Sequence, residues 1–79
     1  MIQLSIVSPE KELFNGTVTQ ITLPGKKGRF AIFPNHAPII SSLSRGEVRY
    51  ITVEGVEHSL DIEEGFVECS DNRVSLCLS

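Results

Sequence analysis

Tryptophan is missing from these 79 residues, and with one tyrosine and four phenylalanines the aromatic share is only 6%. Too few rings are present to stack the bases of a single-stranded nucleic acid. Basic residues are scarce as well: seven Lys and Arg against ten Asp and Glu leave a formal charge of −3. Phosphate binding depends on clustered cations that release counterions, so no nucleic-acid partner is expected. No apolar run approaches the ~20 residues that cross a bilayer as a helix. Met1-Ile2-Gln3-Leu4 lacks the basic start and long apolar segment of a signal peptide, which makes a cytoplasmic address the expectation. Cys69 and Cys77 form no CxxC pair and have no histidines at ligand spacing, so neither a metal nor another cofactor is expected.

What is present is a moderately apolar chain, 41% hydrophobic and 22% charged, too apolar for disorder. Residues 1–79 read as a single domain. A domain this small buries only about 60% of its unfolded surface, and a partner would stabilise it.

The hydrophobic pattern has period two nearly throughout. Ile2, Leu4 and Ile6 alternate with Gln3 and Ser5 as a first strand. Ser8-Pro9-Glu10-Lys11 breaks it, and the residues up to Asn15-Gly16 suit a turn or short strand. Thr17 to Leu23 is rich in β-branched residues, with Ile21 and Leu23 on one face, and Pro24-Gly25 should end it. Ile39, Ile40 and Leu43 form another short strand. Glu47–Val53 and Val56–Ile62 flank Glu54-Gly55, which suits a two-residue type I′ turn. That register sets Ile51 and Val53 on one face with Val56, Leu60 and Ile62, and places His58 opposite Ile51. A last hairpin, Phe66–Ser70 and Arg73–Leu78, turns at Asp71-Asn72; its parity pairs Cys69 with Val74 and Cys77 with Phe66. The two sulfurs then lie on opposite faces, which excludes a disulfide. With no amphipathic helical window, the expected class is all-β.

The densest punctuation lies in Gly28-Arg29-Phe30-Ala31-Ile32-Phe33-Pro34-Asn35-His36-Ala37-Pro38. Phe30 and Ile32 share one face of a short strand while Ala31 and Phe33 keep the other apolar, which predicts a strand covered on both sides. Pro34 removes a donor and Pro38 biases Ala37 away from helix, leaving a fixed, extended loop with Asn35 and His36 at its tip. Around its start, Lys26, Lys27 and Arg29 invert the local charge.

Catalytic machinery is not visible. Glu63-Glu64 point to opposite faces, no nucleophile can be placed beside His36, and Gly25-Lys26-Lys27-Gly28 lacks the spacing and following helix of a phosphate loop. The residues alone leave a β-sandwich interaction module, such as a peptide binder at a sheet edge, as one reading.

The central stretch resembles the Gly-x-x-Gly-Ile-x-Pro-x-His-Ala-Pro signature of the epsilon subunits of F-type ATP synthases (delta in mitochondria). Val7-Ser8-Pro9-Glu10 with Leu13-Phe14-Asn15-Gly16 is similar to that family's N-terminal segment, and Glu64-Gly65-Phe66-Val67-Glu68 to its penultimate strand. Ala31 and Asn35 stand where the family often has glycine; asparagine tolerates positive φ better than most residues. The resemblance implies a flattened β-sandwich, here of about ten short strands. It also implies a non-catalytic rotor subunit that links the gamma subunit to the membrane c-ring and couples proton transport to ATP synthesis, peripheral to the membrane on its cytoplasmic face or the organellar equivalent. Carried over, Arg29, Asn35, His36, Ala37 and Pro38 would contact gamma or the ring, with Gly28 and Pro34 shaping the loop. Such subunits commonly continue into a helical hairpin that can restrain ATP hydrolysis. That segment is absent from this sequence, which reads as a naturally short subunit or a truncated form.

Overall fold

A computed structural model describes residues 1–79 as eight strands and no helix: β1 (Ile2–Val7), β2 (Glu12–Gly25), β3 (Gly28–Ile32), β4 (Ile39–Leu43), β5 (Gly46–Thr52), β6 (Glu57–Ile62), β7 (Gly65–Ser70) and β8 (Arg73–Leu78). The all-β reading holds, with eight strands in place of ten. Much of the difference lies in β2, which runs unbroken for 14 residues, through the expected break at Asn15-Gly16 and up to Gly25 at the second.

At the first break, Asn15-Gly16 makes no turn, because Ser5 and Leu4 of β1 pair with it. A Cβ on Gly16 would sit 3.0 Å from the tip of the Phe14 ring, so an aromatic covers the bare glycine within the strand. At the second, Pro24 has no N–H to give, but its carbonyl accepts the Ser44 N–H at 2.8 Å and the Ser44 hydroxyl at 3.2 Å. The strand therefore continues to Gly25, and Lys26-Lys27 forms the turn.

β2 also joins the two layers. Its first half pairs with β1, its second half with β3 and β5, and the register against β5 slips between Val18 and Gln20. The slip changes the inward parity from Val18 to Ile21 and Leu23, all three fully buried. β1, β8, β7, β4 and β2 close a ring, with β1 and β8 parallel and the other pairs antiparallel. β5 and β6 extend from one side of β2, while β3 pairs with β2 alone. The body is flattened, 27 × 25 × 18 Å, around a core of 15 apolar side chains drawn from every strand.

The β5–β6 register differs by one residue from the expected one. Thr52 N–H donates to Val56 O and Gly55 N–H to Thr52 O, both at 2.9 Å, and Gly55 has φ of +86°. This is a three-residue loop closed by a glycine bulge. One extra loop residue flips β5: Val48 and Tyr50 face the core, and Ile51 is only half-buried while Val53 is exposed. His58 lies opposite Tyr50, not Ile51, with its exposed ring stacked on the tyrosine at 5.2 Å between centroids. The last hairpin keeps its expected register, Cys69 opposite Val74 and Cys77 opposite Phe66, and both cysteines are free.

Candidate functional site

The signature strand is an edge, not a strand covered on both sides. β3 ends at Ile32, which is buried; Phe30 is half-buried against the core, and Arg29 and Gly28 are exposed. Phe33 falls beyond the strand, so it does not continue the alternation and stays 53% exposed.

Phe33 opens the turn that carries the candidate residues. His36 N–H donates to Phe33 O at 3.2 Å, with Pro34 and Asn35 between them. Proline second and a positive-φ residue third is the order a type II turn requires, and Asn35 has φ of 67°. Asparagine thus supplies here the conformation that glycine commonly provides. The turn is tied to the rest of the molecule by Asn72: Asn35 N–H donates to Asn72 Oδ1, and Asn72 Nδ2 donates to Asn35 Oδ1 at 3.1 Å. Asn72 is itself fixed, its carbonyl accepting the Gln3 N–H at 2.8 Å.

Past the turn, His36 Nδ1 lies 2.7 Å from the Ala37 carbonyl oxygen. A carbonyl can only accept, so Nδ1 donates in this contact, which in the neutral ring leaves Nε2 as the acceptor. His36 is half-buried, and Pro34, Asn35, Ala37 and Pro38 are exposed. The two groups whose ionisation burial suppresses, Tyr50 and Cys69, belong to the core and not to this loop.

Five of the seven candidates, Pro34 to Pro38, form one locked loop. Gly28 and Arg29 do not join it: they open β3, four and three strand steps, or about 13 and 10 Å, from Ile32. Around them lies a second feature. Lys26, Lys27 and Arg29 have no carboxylate within ion-pair distance, whereas Arg45 and Arg49 do. The turn and β4 enclose a groove of about 470 Å³ lined by Lys26, Lys27, Phe30, Ile40 and Ser42 among others.

The sequence marks Asn72 only as a hairpin-turn residue. Its role depends on the pairing of Ile39 with Cys69, which brings the start of β4 beside the end of β7; no local signal carries that.

Residues 1–78 match the family of the ATP synthase Delta/Epsilon chain, beta-sandwich domain. The chain belongs to that family. ATP synthase epsilon chains similar to it include that of Leptospira borgpetersenii, 39% identical over 75 residues, covering 95% of this chain and 58% of the relative. The Desulfitobacterium hafniense epsilon chain is 44% identical over 73 residues, 92% and 54% of the two chains. In Chlorobium limicola the figures are 42% over 74 residues, 94% and 84%. The chain thus spans little more than half the length of most of these curated relatives. Among solved structures, a chain of the Euglena gracilis mitochondrial ATP synthase OSCP/F1/c-ring structure superposes with a TM-score of 0.89 at 18% identity, covering 98% of this chain and 49% of its own. One from the Tetrahymena thermophila mitochondrial ATP synthase central stalk/c-ring superposes at 0.79 and 19%, covering 98% and 62%. At these identities the shared feature is the fold.

Proposed function

We propose that residues 1–79 act as one non-catalytic β-sandwich domain in the central stalk of an F-type ATP synthase, linking the gamma subunit to the c-ring and so coupling proton transport to ATP synthesis. The domain would be peripheral to the membrane through the complex, on the cytoplasmic face of a bacterial membrane or its organellar equivalent. The observation that carries the reading is the Phe33–His36 turn. A joint transmits torque only if it does not deform, and this exposed loop is held by two prolines, a positive-φ asparagine and a bidentate amide contact to Asn72. Pro34, Asn35, His36, Ala37 and Pro38 are its contact surface, with Nε2 of His36 available to a partner's donor. Gly28 and Arg29 contribute from the opposite end of β3.

The test is co-expression with the gamma subunit of the same organism, followed by size-exclusion chromatography of the wild type and of His36→Ala and Arg29→Ala. A one-to-one complex weakened by His36→Ala supports the reading. Absence of a complex between two folded proteins overturns it. In that event the open edge of β3, Gly28–Ile32, favours a second reading: a module that binds an extended peptide by strand addition.

A further inference from the structure

We propose that the groove between the β2–β3 turn and β4 holds the phosphate head group of an anionic phospholipid, with the glycerol and first methylenes lying along Phe30 and Ile40. This goes beyond the stalk reading and rests on the groove's own chemistry.

Two lysines, 26 and 27, form the turn itself, both exposed and neither paired with a carboxylate. Opposite them Ser42 offers a hydroxyl with no partner in the chain, and its carbonyl already holds Lys26 N–H at 3.2 Å, so the serine and the turn are fixed relative to one another. The floor is apolar. Phe30 lies against Gly25, where a Cβ would come within 2.8 Å of the ring, and Ile40 is 72% exposed at the rim. A large aliphatic side chain left that exposed in the same groove as two unpaired ammonium groups is an amphipathic arrangement, suited to a ligand charged at one end and apolar at the other.

Charge fixes the orientation. Glu68 pairs across the sheet with Ile40 and is exposed, so the Ile40 end of the groove repels a phosphate and the lysine end attracts it. Arg29, on the adjoining strand, adds to the positive field without lining the groove. In a chain of net charge −3 this is a local inversion, one that a diffuse attraction to an anionic surface would not need.

The experiment is sedimentation of the folded chain with vesicles of phosphatidylcholine alone and of phosphatidylcholine mixed with phosphatidylglycerol. Binding to the mixed vesicles only is expected. Each lysine near an anionic surface contributes about fivefold, so Lys26→Ala with Lys27→Ala should weaken binding by roughly 25-fold. Ile40→Asn should weaken it at low and high salt alike, while Arg73→Ala, an unpaired cation outside the groove, should leave it unchanged. Circular dichroism confirms that each variant is folded. The proposal is overturned if Arg73→Ala weakens binding as much as the lysine pair, or if Ile40→Asn is silent and inorganic phosphate displaces the protein. Binding to polyglutamate without binding to vesicles would also overturn it, in favour of an acidic peptide. A negative vesicle result with an intact gamma complex removes the lipid site and leaves the stalk reading standing.

Discussion

Asn35 and Asn72, in loops 37 residues apart, hold each other through one backbone and one side-chain donor, and both have positive φ, 67° and 60°. Two turns that would each be locally permissive are thereby locked together at one end of the molecule.

Substitutions at Asn35 should separate backbone from side-chain effects. Asn35→Gly keeps the turn conformation and the N–H bond to Asn72, and should cost no more than about 1 kcal/mol. Asn35→Val forces a β-branched residue into the left-handed region and should cost about 2 kcal/mol or more. Urea denaturation measures both; equal stability of the two variants would contradict the turn described here.

The β5–β6 register makes a prediction against side-chain size. Val48→Ala removes buried methyls and should cost about 2 kcal/mol, whereas Ile51→Ala, though the larger truncation, should cost less than about 1 kcal/mol because Ile51 is half exposed. The two-residue turn would reverse that order. Thermal melts of the two variants decide it.

Alkaline pH should destabilise the fold. Burial raises the Cys69 thiol above its ordinary 9.0 and the Tyr50 phenol above its ordinary 10.0. Above pH 9 the unfolded chain releases a proton that the folded one retains, so the unfolded state binds fewer protons and stability falls as pH rises. Cys69→Ala should flatten the decline between pH 9 and 10. A stability that rises over that interval would be the contrary result.

Thiol accessibility follows the same geometry. In the folded protein iodoacetamide should modify half-buried Cys77 well before buried Cys69, and denaturation without reductant should release both as free thiols. Mass spectrometry of the alkylated protein reads the order, and a disulfide would contradict the placement of the two sulfurs on opposite faces.

Gly65→Ala should be among the costly single-methyl additions. The new Cβ would run into the Cys77 carbonyl oxygen across the β7–β8 ladder, where backbone and not a flexible side chain must yield. About 2 kcal/mol is expected, read by the same urea titration.

The elements visible in the sequence were those governed by adjacent residues. Ile2, Leu4 and Ile6 alternate cleanly and are all buried, and Asp71-Asn72 adopts the two positive-φ residues that a two-residue hairpin needs. The structure departs from the local pattern where a distant partner decides. Asn15-Gly16 and Pro24-Gly25 look like turns until Phe14 and Ser44 are in place around them. Gly55 signals a loop but not whether the loop has two or three residues, and that single residue determines which face of β5 is buried. At the candidate loop the positive φ of Asn35 is one that asparagine tolerates where the resembled family often has glycine, while its contact with Asn72 depends on the whole β4–β7 pairing.

The parallel pairing of β1 with β8 bears on mechanics. Gln3 to Val7 run alongside Arg73 to Cys77 in the same direction, so a pull that separates Ile2 from Leu78 loads this ladder along its length. Its hydrogen bonds then lie across the force and must fail together in shear, where a terminal hairpin would peel open one bond at a time. β1 and β8 thus form a clamp, and the fold resists stretching along the line from Ile2 to Leu78.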